Sequence, residues 1–181
     1  MKDTIKLILV LTLICAVSSA LLAAVYSKTK APIEAALEVR TANAARDVMP
    51  AGLPAPEKKV VEGVAFFVAK QEGRFAAAAV EGRSKNGYGG DVVLMVGLGA
   101  DGKLVNFKVV AANETPGLGT RMSSDAFRKP LLGKLLSGTW KVRKDGGDVD
   151  AITAATISSR AALDCIRDAI GKFNHAVAQL Q

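Results

Sequence analysis

The segment Gly87–Asn113, GYGGDVVLMVGLGADGKLVNFKVVAAN, decides the fold class of this chain. Two aliphatic runs, Val92–Leu98 and Leu104–Val110, flank Asp101-Gly102, a pair that accepts positive φ at low cost. That pattern predicts an antiparallel hairpin. Upstream, VEGVAFFVAK (61–70) and RFAAAAVEGR (74–83) are separated by Gln71-Glu72-Gly73 and predict a second hairpin. Downstream the period changes. Ala162, Ile166, Ala169, Ile170, Phe173, Val177 and Leu180 share one helical face, while Arg160, Asp164, Arg167, Asp168 and Lys172 fall largely elsewhere. Hairpins followed by a long amphipathic helix predict an α+β domain in which helices pack on an antiparallel sheet.

Before this domain lies a different kind of sequence. Leu7–Ser27 is a 21-residue run without a charge, bounded by Lys2 and Lys6 on one side and Lys28 and Lys30 on the other. As a helix it is about 31 Å long, close to the thickness of a bilayer's hydrocarbon core. A cleaved signal peptide is the rival reading, but its apolar region spans only about 7–15 residues. Ile14 ahead of Cys15 argues against a lipoprotein anchor. The flanking lysines give little asymmetry, and the short leading tail favours a cytoplasmic N-terminus with the remainder outside. Pro32 suits the start of a stalk helix over Ile33–Met49, and Pro50, Gly52, Pro54 and Pro56 suit a linker. The expected organisation is therefore tail and transmembrane helix over 1–30, stalk and linker over 31–59, and the α+β domain over 60–181.

Charge and cysteine usage narrow the chemistry. The chain carries +7, of which the first 30 residues supply +3, so the remainder is mildly basic and leaves no footprint for nucleic acid. The basic stretch Arg128–Lys144 reads by default as a solvated face. Cys15 and Cys165 lie in different helices, there is no CxxC, and His175 is the single histidine. No metal site is expected from this chain alone. Cys165 reads as core and His175 as surface.

Two segments between and after the strands invite a ligand. ETPGLGTRM (114–122) combines Pro116, Gly117 and Gly119, which permit a tight backbone path and close approach of a flat group. An irregular turn is the equal alternative. Ser123 and Ser124 read as caps of a short helix through Phe127, Leu131, Leu132 and Leu135, with Lys129-Pro130 interrupting it early. Trp140 suits either a planar ligand or the core. DAITAATISS (150–159) places Asp150, Thr153, Thr156, Ser158 and Ser159 ahead of the last helix. Its hydroxyls and helix N-terminal N–H groups suit an anion, phosphate above all, or simply a helix cap.

Taken together, the single span, the GYGG…ETPGLGTRM region and DAITAATISS resemble the FMN-binding G subunit of the Rnf electron-transport complex. The resemblance covers nearly the whole chain. It extends more loosely to the C subunit of the sodium-translocating NADH:quinone reductase, which shares the FMN-binding domain. The family pattern Asp-x-x-Ser/Thr-Gly-Ala-Thr is met at Asp150, Thr153, Ala155 and Thr156, with Ala154 where glycine is usual.

The resemblance implies FMN joined to Thr156 through a phosphoester, installed by a flavin transferase acting outside the cytoplasm. It implies that Asp150 belongs to the sequence the transferase reads and that Thr153, Ala155 and Ser158 border the phosphate. Glu114, Thr115, Leu118 and Gly119 would approach the isoalloxazine, with Tyr88 and its neighbouring glycines as further candidates. The implied function is electron transfer within an ion-translocating ferredoxin:NAD oxidoreductase, alongside other membrane and redox subunits. No catalytic nucleophile or base is implied. A component like the C subunit of the quinone reductase, or a cofactor-free anchored assembly module, is the alternative. A soluble flavin reductase would need a further domain.

Overall fold

A computed structural model describes residues Lys2–Leu180. The chain divides into two compact units, Met1–Arg40 and Thr41–Gln181. Helix α1 runs over Lys2–Asp47. Its apolar stretch is long enough to cross a bilayer and is wholly unburied within the protein. The break expected at Pro32 does not occur, because the helix continues through it. A proline frees one carbonyl of the preceding turn, and the exposure of residues 28–36 leaves that carbonyl open to water or other external donors.

The second unit is built on a five-stranded meander: β1 (Glu57–Val61), β2 (Val64–Gln71), β3 (Arg74–Gly87), β4 (Gly90–Gly99) and β5 (Leu104–Ala112). All neighbours are antiparallel and follow chain order. The two expected hairpins form, but VEGVAFFVAK itself contains a further turn at Glu62-Gly63. Both residues there have positive φ, 51° and 79°, as do Glu72 and Gly73 at the next turn, 52° and 78°. The β-rich part therefore begins at Glu57, inside the stretch read as linker.

Cross-strand register explains the core. Phe66 pairs with Val80, Val80 with Val96, and Val96 with Phe107, forming one row on a single face. That row belongs to the main core with Ile166, Ala169 and Phe173 of α3 (Thr156–Leu180). The opposite face holds Phe67, Ala79 and Met95, covered by Ala44, Ala45 and Val48 from the end of α1. Because both faces are covered, Ala77–Val80 are all buried instead of alternating. On the α3 side, the small Ala78 lets the helix lie close. At Gly82 an added Cβ would stand 1.9 Å from the Cys165 carbonyl oxygen, so strand and helix backbones nearly touch.

The helix expected through Leu135 is much shorter. Helix α2 covers only Asp125–Arg128, followed by a 3₁₀ turn at Lys129–Leu131. Pro130 lacks the N–H an α-helix needs, and Gly133 turns to φ 74°. Ser124 sits at the N-cap without a side-chain hydrogen bond. Phe127 and Leu131 are buried, whereas Leu132 and Leu135 face outward.

As read from the sequence, His175 is exposed and Cys165 is buried. The Cys165 Sγ lies 3.3 Å from the Val92 carbonyl. Burial, with Asp164 and Asp168 nearby, pushes its thiol up to about 12. An unfolded chain loses this proton first, so stability is intact below the ordinary thiol range and declines as pH rises toward 12. Urea midpoints at about pH 8 and 10 should show that decline in wild type and less of it in Cys165→Ala.

Candidate functional site

Three segments that are distant in sequence meet beside the N-terminus of α3. The β3–β4 turn contributes Tyr88. The loop after β5 contributes Glu114, Thr115, Leu118 and Gly119. The start of α3 contributes Ala154–Ser158. They line a cleft of about 490 Å³, within the range of small-molecule sites. Tyr88, Leu118 and Ile157 are largely exposed and give it an apolar rim.

Thr156 is the first residue of α3, so it is not the side-chain cap that the motif alone would suggest. Ser159 takes the fastening role. Its Oγ accepts the Ile152 N–H at 2.9 Å and donates to the Ala155 carbonyl at 2.9 Å. The Ala155 N–H in turn donates to the Ile152 carbonyl at 2.9 Å. This knot holds the motif against the helix. The N–H groups of Thr156, Ile157 and Ser158, one turn too early for intrahelical bonds, have no acceptor among the described residues.

The motif's four hydroxyls differ sharply in circumstance. Ser158 and Ser159 are 2% and 0% exposed, and both are engaged. Ser158 Oγ donates to Glu114 Oε2 at 2.6 Å. Thr153 is exposed but lies outside the cleft lining. Thr156 is half-buried in the lining, and its hydroxyl makes no hydrogen bond among the described residues.

Glu114 organises the far wall. Besides the Ser158 hydroxyl, it accepts the Gly89 N–H at 3.4 Å through Oε1. Gly119 packs directly on this pair: an added Cβ would stand 2.3 Å from Glu114 Oε2 and 2.5 Å from Ser158 Oγ. The lack of a side chain at Gly119 is thus what lets Glu114 and Ser158 meet.

Other candidates fall elsewhere. Asp150 is exposed and pairs with Arg143 at 2.6 Å. Trp140 is core, 4% exposed, with Nε1 donating to the Leu136 carbonyl at 3.2 Å and Lys134 Nζ 5.2 Å from the ring centroid. Asp145 forms a two-pronged pair with Arg160 at 2.7 Å, tying the preceding turn to α3. That hydrogen-bonded guanidinium holds the Asp145 carboxyl below the usual carboxylate range. Sequence reasoning missed Ile157. Ile157 was visible only as the apolar residue between hydroxyls.

Ala154 has φ 60°, the left-handed conformation that glycine adopts freely. An alanine there costs about 1 kcal/mol. Because Ala154 is exposed, Ala154→Gly loses little packing. It should raise the melting temperature by roughly 2–4 °C, as calorimetry would show.

Residues 87–171 match the FMN-binding domain family, a span that includes every residue lining the cleft. The chain is 34% identical over 163 residues to the G subunit of the proton-translocating ferredoxin:NAD(+) oxidoreductase complex of Clostridium ljungdahlii, covering 88% of this chain and 86% of that one. It is also 34% identical over 120 residues to the G subunit of the ion-translocating oxidoreductase complex of Shewanella baltica, covering 63% and 57%. The chain belongs to this family of G subunits. The aligned part spans little more than half of the Shewanella relative's length. The crystal structure of Shewanella oneidensis NqrC aligns with a TM-score of 0.52 at 21% identity, covering 65% of this chain and 60% of that one, which marks a shared fold.

Proposed function

We propose that this chain is a membrane-anchored electron-transfer component with FMN held as a phosphoester on Thr156. The observation that carries this reading is the state of the Thr156 hydroxyl. It lines the cleft and has no hydrogen-bond partner among the described residues, whereas Ser158 and Ser159 are buried and bonded. The residues fit the group. The open N–H groups at the start of α3 suit the single negative charge of a phosphodiester, which a helix terminus stabilises by roughly 0.3–1 kcal/mol. The apolar rim of Tyr88, Leu118 and Ile157 suits a flat aromatic ring, and Gly119 keeps the floor low.

When bound, FMN supplies the redox chemistry, while the protein positions it and tunes its potential. Thr156 contributes its oxygen to the new ester. Attack on FAD by that oxygen, with the hydroxyl proton passing to the transferase and AMP leaving, balances the transfer. Asp150, exposed on the motif's leading edge, is available for a transferase to read. Thr153 is likewise exposed.

The apolar part of α1 anchors the protein, with a cytoplasmic N-terminus and the FMN domain outside. Partners are the other membrane and redox subunits of an ion-translocating oxidoreductase complex, the assembly named for the relatives. The test is direct. After co-expression with a flavin transferase, the chain should fluoresce as a band on a denaturing gel under ultraviolet light. A dark band of full-length folded protein contradicts the proposal.

A further inference from the structure

Glu114 is a buried acid without a compensating cation. It is 7% exposed, lines the cleft, and has no lysine or arginine within ion-pair distance among the described residues. Its contacts are the Ser158 hydroxyl at 2.6 Å and the Gly89 N–H at 3.4 Å, both donating to it. They fix its position and spread its charge without cancelling it. Gly119 leaves no side chain between it and the cleft floor.

We propose that Glu114 is a redox-tuning residue that lowers the reduction potential of the cofactor in this cleft, an inference that rests on the FMN reading above. An electron added to the cofactor brings negative charge into a pocket whose wall already holds a carboxylate. In a partly desolvated site the repulsion is weakly screened, so the oxidised form is favoured. Ser158 opposes this effect by drawing charge toward its hydroxyl. The same contact links the tuning group to the first turn of α3, which holds Thr156.

The experiment is a mediated redox titration of the full flavinylated chain in detergent, after the FMN mass increment has been verified for each variant. Glu114→Gln keeps the shape and removes the charge. It should shift the equilibrium about tenfold toward the reduced form, which is 59 mV upward for a one-electron step. Glu114→Asp keeps the charge and should remain within about twofold of wild type. Ser158→Ala removes a donor and leaves the charge, and should shift the equilibrium about threefold the other way. A purely structural role would change melting temperature without this opposite pair of shifts. An unchanged potential in both Glu114→Gln and Ser158→Ala, or a rise in both, overturns the proposal. Should Glu114→Gln lose its fold, the Ser158→Ala shift decides the matter by its sign. Wild-type chain without FMN would instead overturn the FMN reading itself, an outcome seen before any titration begins.

Discussion

Thr156→Ala should leave a folded protein with no covalently held flavin. The substitution removes one hydroxyl from a half-buried position whose oxygen makes no hydrogen bond among the described residues, so folding loses little. Flavin retention should nevertheless fall from full to none, because no other hydroxyl of the motif can substitute. Ser158 and Ser159 are buried and committed to Glu114 and to the Ile152–Ala155 turn. Thr153 is accessible but lies outside the cleft lining. Thr153→Ala should therefore retain the fluorescent band, at reduced intensity where the motif is read less well. Circular dichroism on both variants separates loss of attachment from loss of fold. A Thr156→Ala band as bright as wild type would transfer the attachment to another residue.

The second large effect concerns stability. Gly82→Ala adds a methyl 1.9 Å from the Cys165 carbonyl oxygen and 2.7 Å from its carbon. Both atoms are backbone in the middle of α3, so no side-chain rotation relieves the clash. Either the helix lifts from β3 or the strand bends. Overpacking of a closed core costs about 1–3 kcal/mol, and a backbone-to-backbone clash belongs at the upper end. At about 3 kcal/mol the melting temperature should fall by roughly 6–12 °C. Calorimetry of the full chain in detergent checks this. Ala78, which packs from the same strand onto the same core, offers no comparable effect on substitution by glycine, since deleting one methyl costs less.

Periodicity carried most of the fold. The Asp101-Gly102 hairpin and the apolar face of α3 are strong local patterns, and both stand where the residues put them. The Glu62-Gly63 turn was harder to see, because glutamate at positive φ has no clear sequence mark and the apolar residues run on either side of it. Pro32 misled for a related reason: proline ends helices on average, but an exposed helix tolerates one open carbonyl. The short α2 reflects Pro130 and Gly133 prevailing over four well-spaced apolar residues.

The candidate site was legible as two segments but not as an arrangement. Glu114, Thr115, Leu118, Gly119 and the residues around Thr156 share one cleft, which linear spacing cannot state. Trp140 was ambiguous between ligand and core, and its buried indole bonded to Leu136 settles its place in the core. Nothing in the sequence pairs Glu114 with Ser158, since that bond spans 44 positions and depends on the missing side chain at Gly119.

In the proposed holoprotein a single oxygen, that of Thr156, carries the cofactor. Trypsin should release Asp145–Arg160, a peptide holding Thr153, Thr156, Ser158 and Ser159 together. Fragmentation of that peptide from the transferase-matured chain is expected to place an FMN phosphoester on Thr156. An unmodified peptide, or the increment on any of the other three hydroxyls, would contradict it.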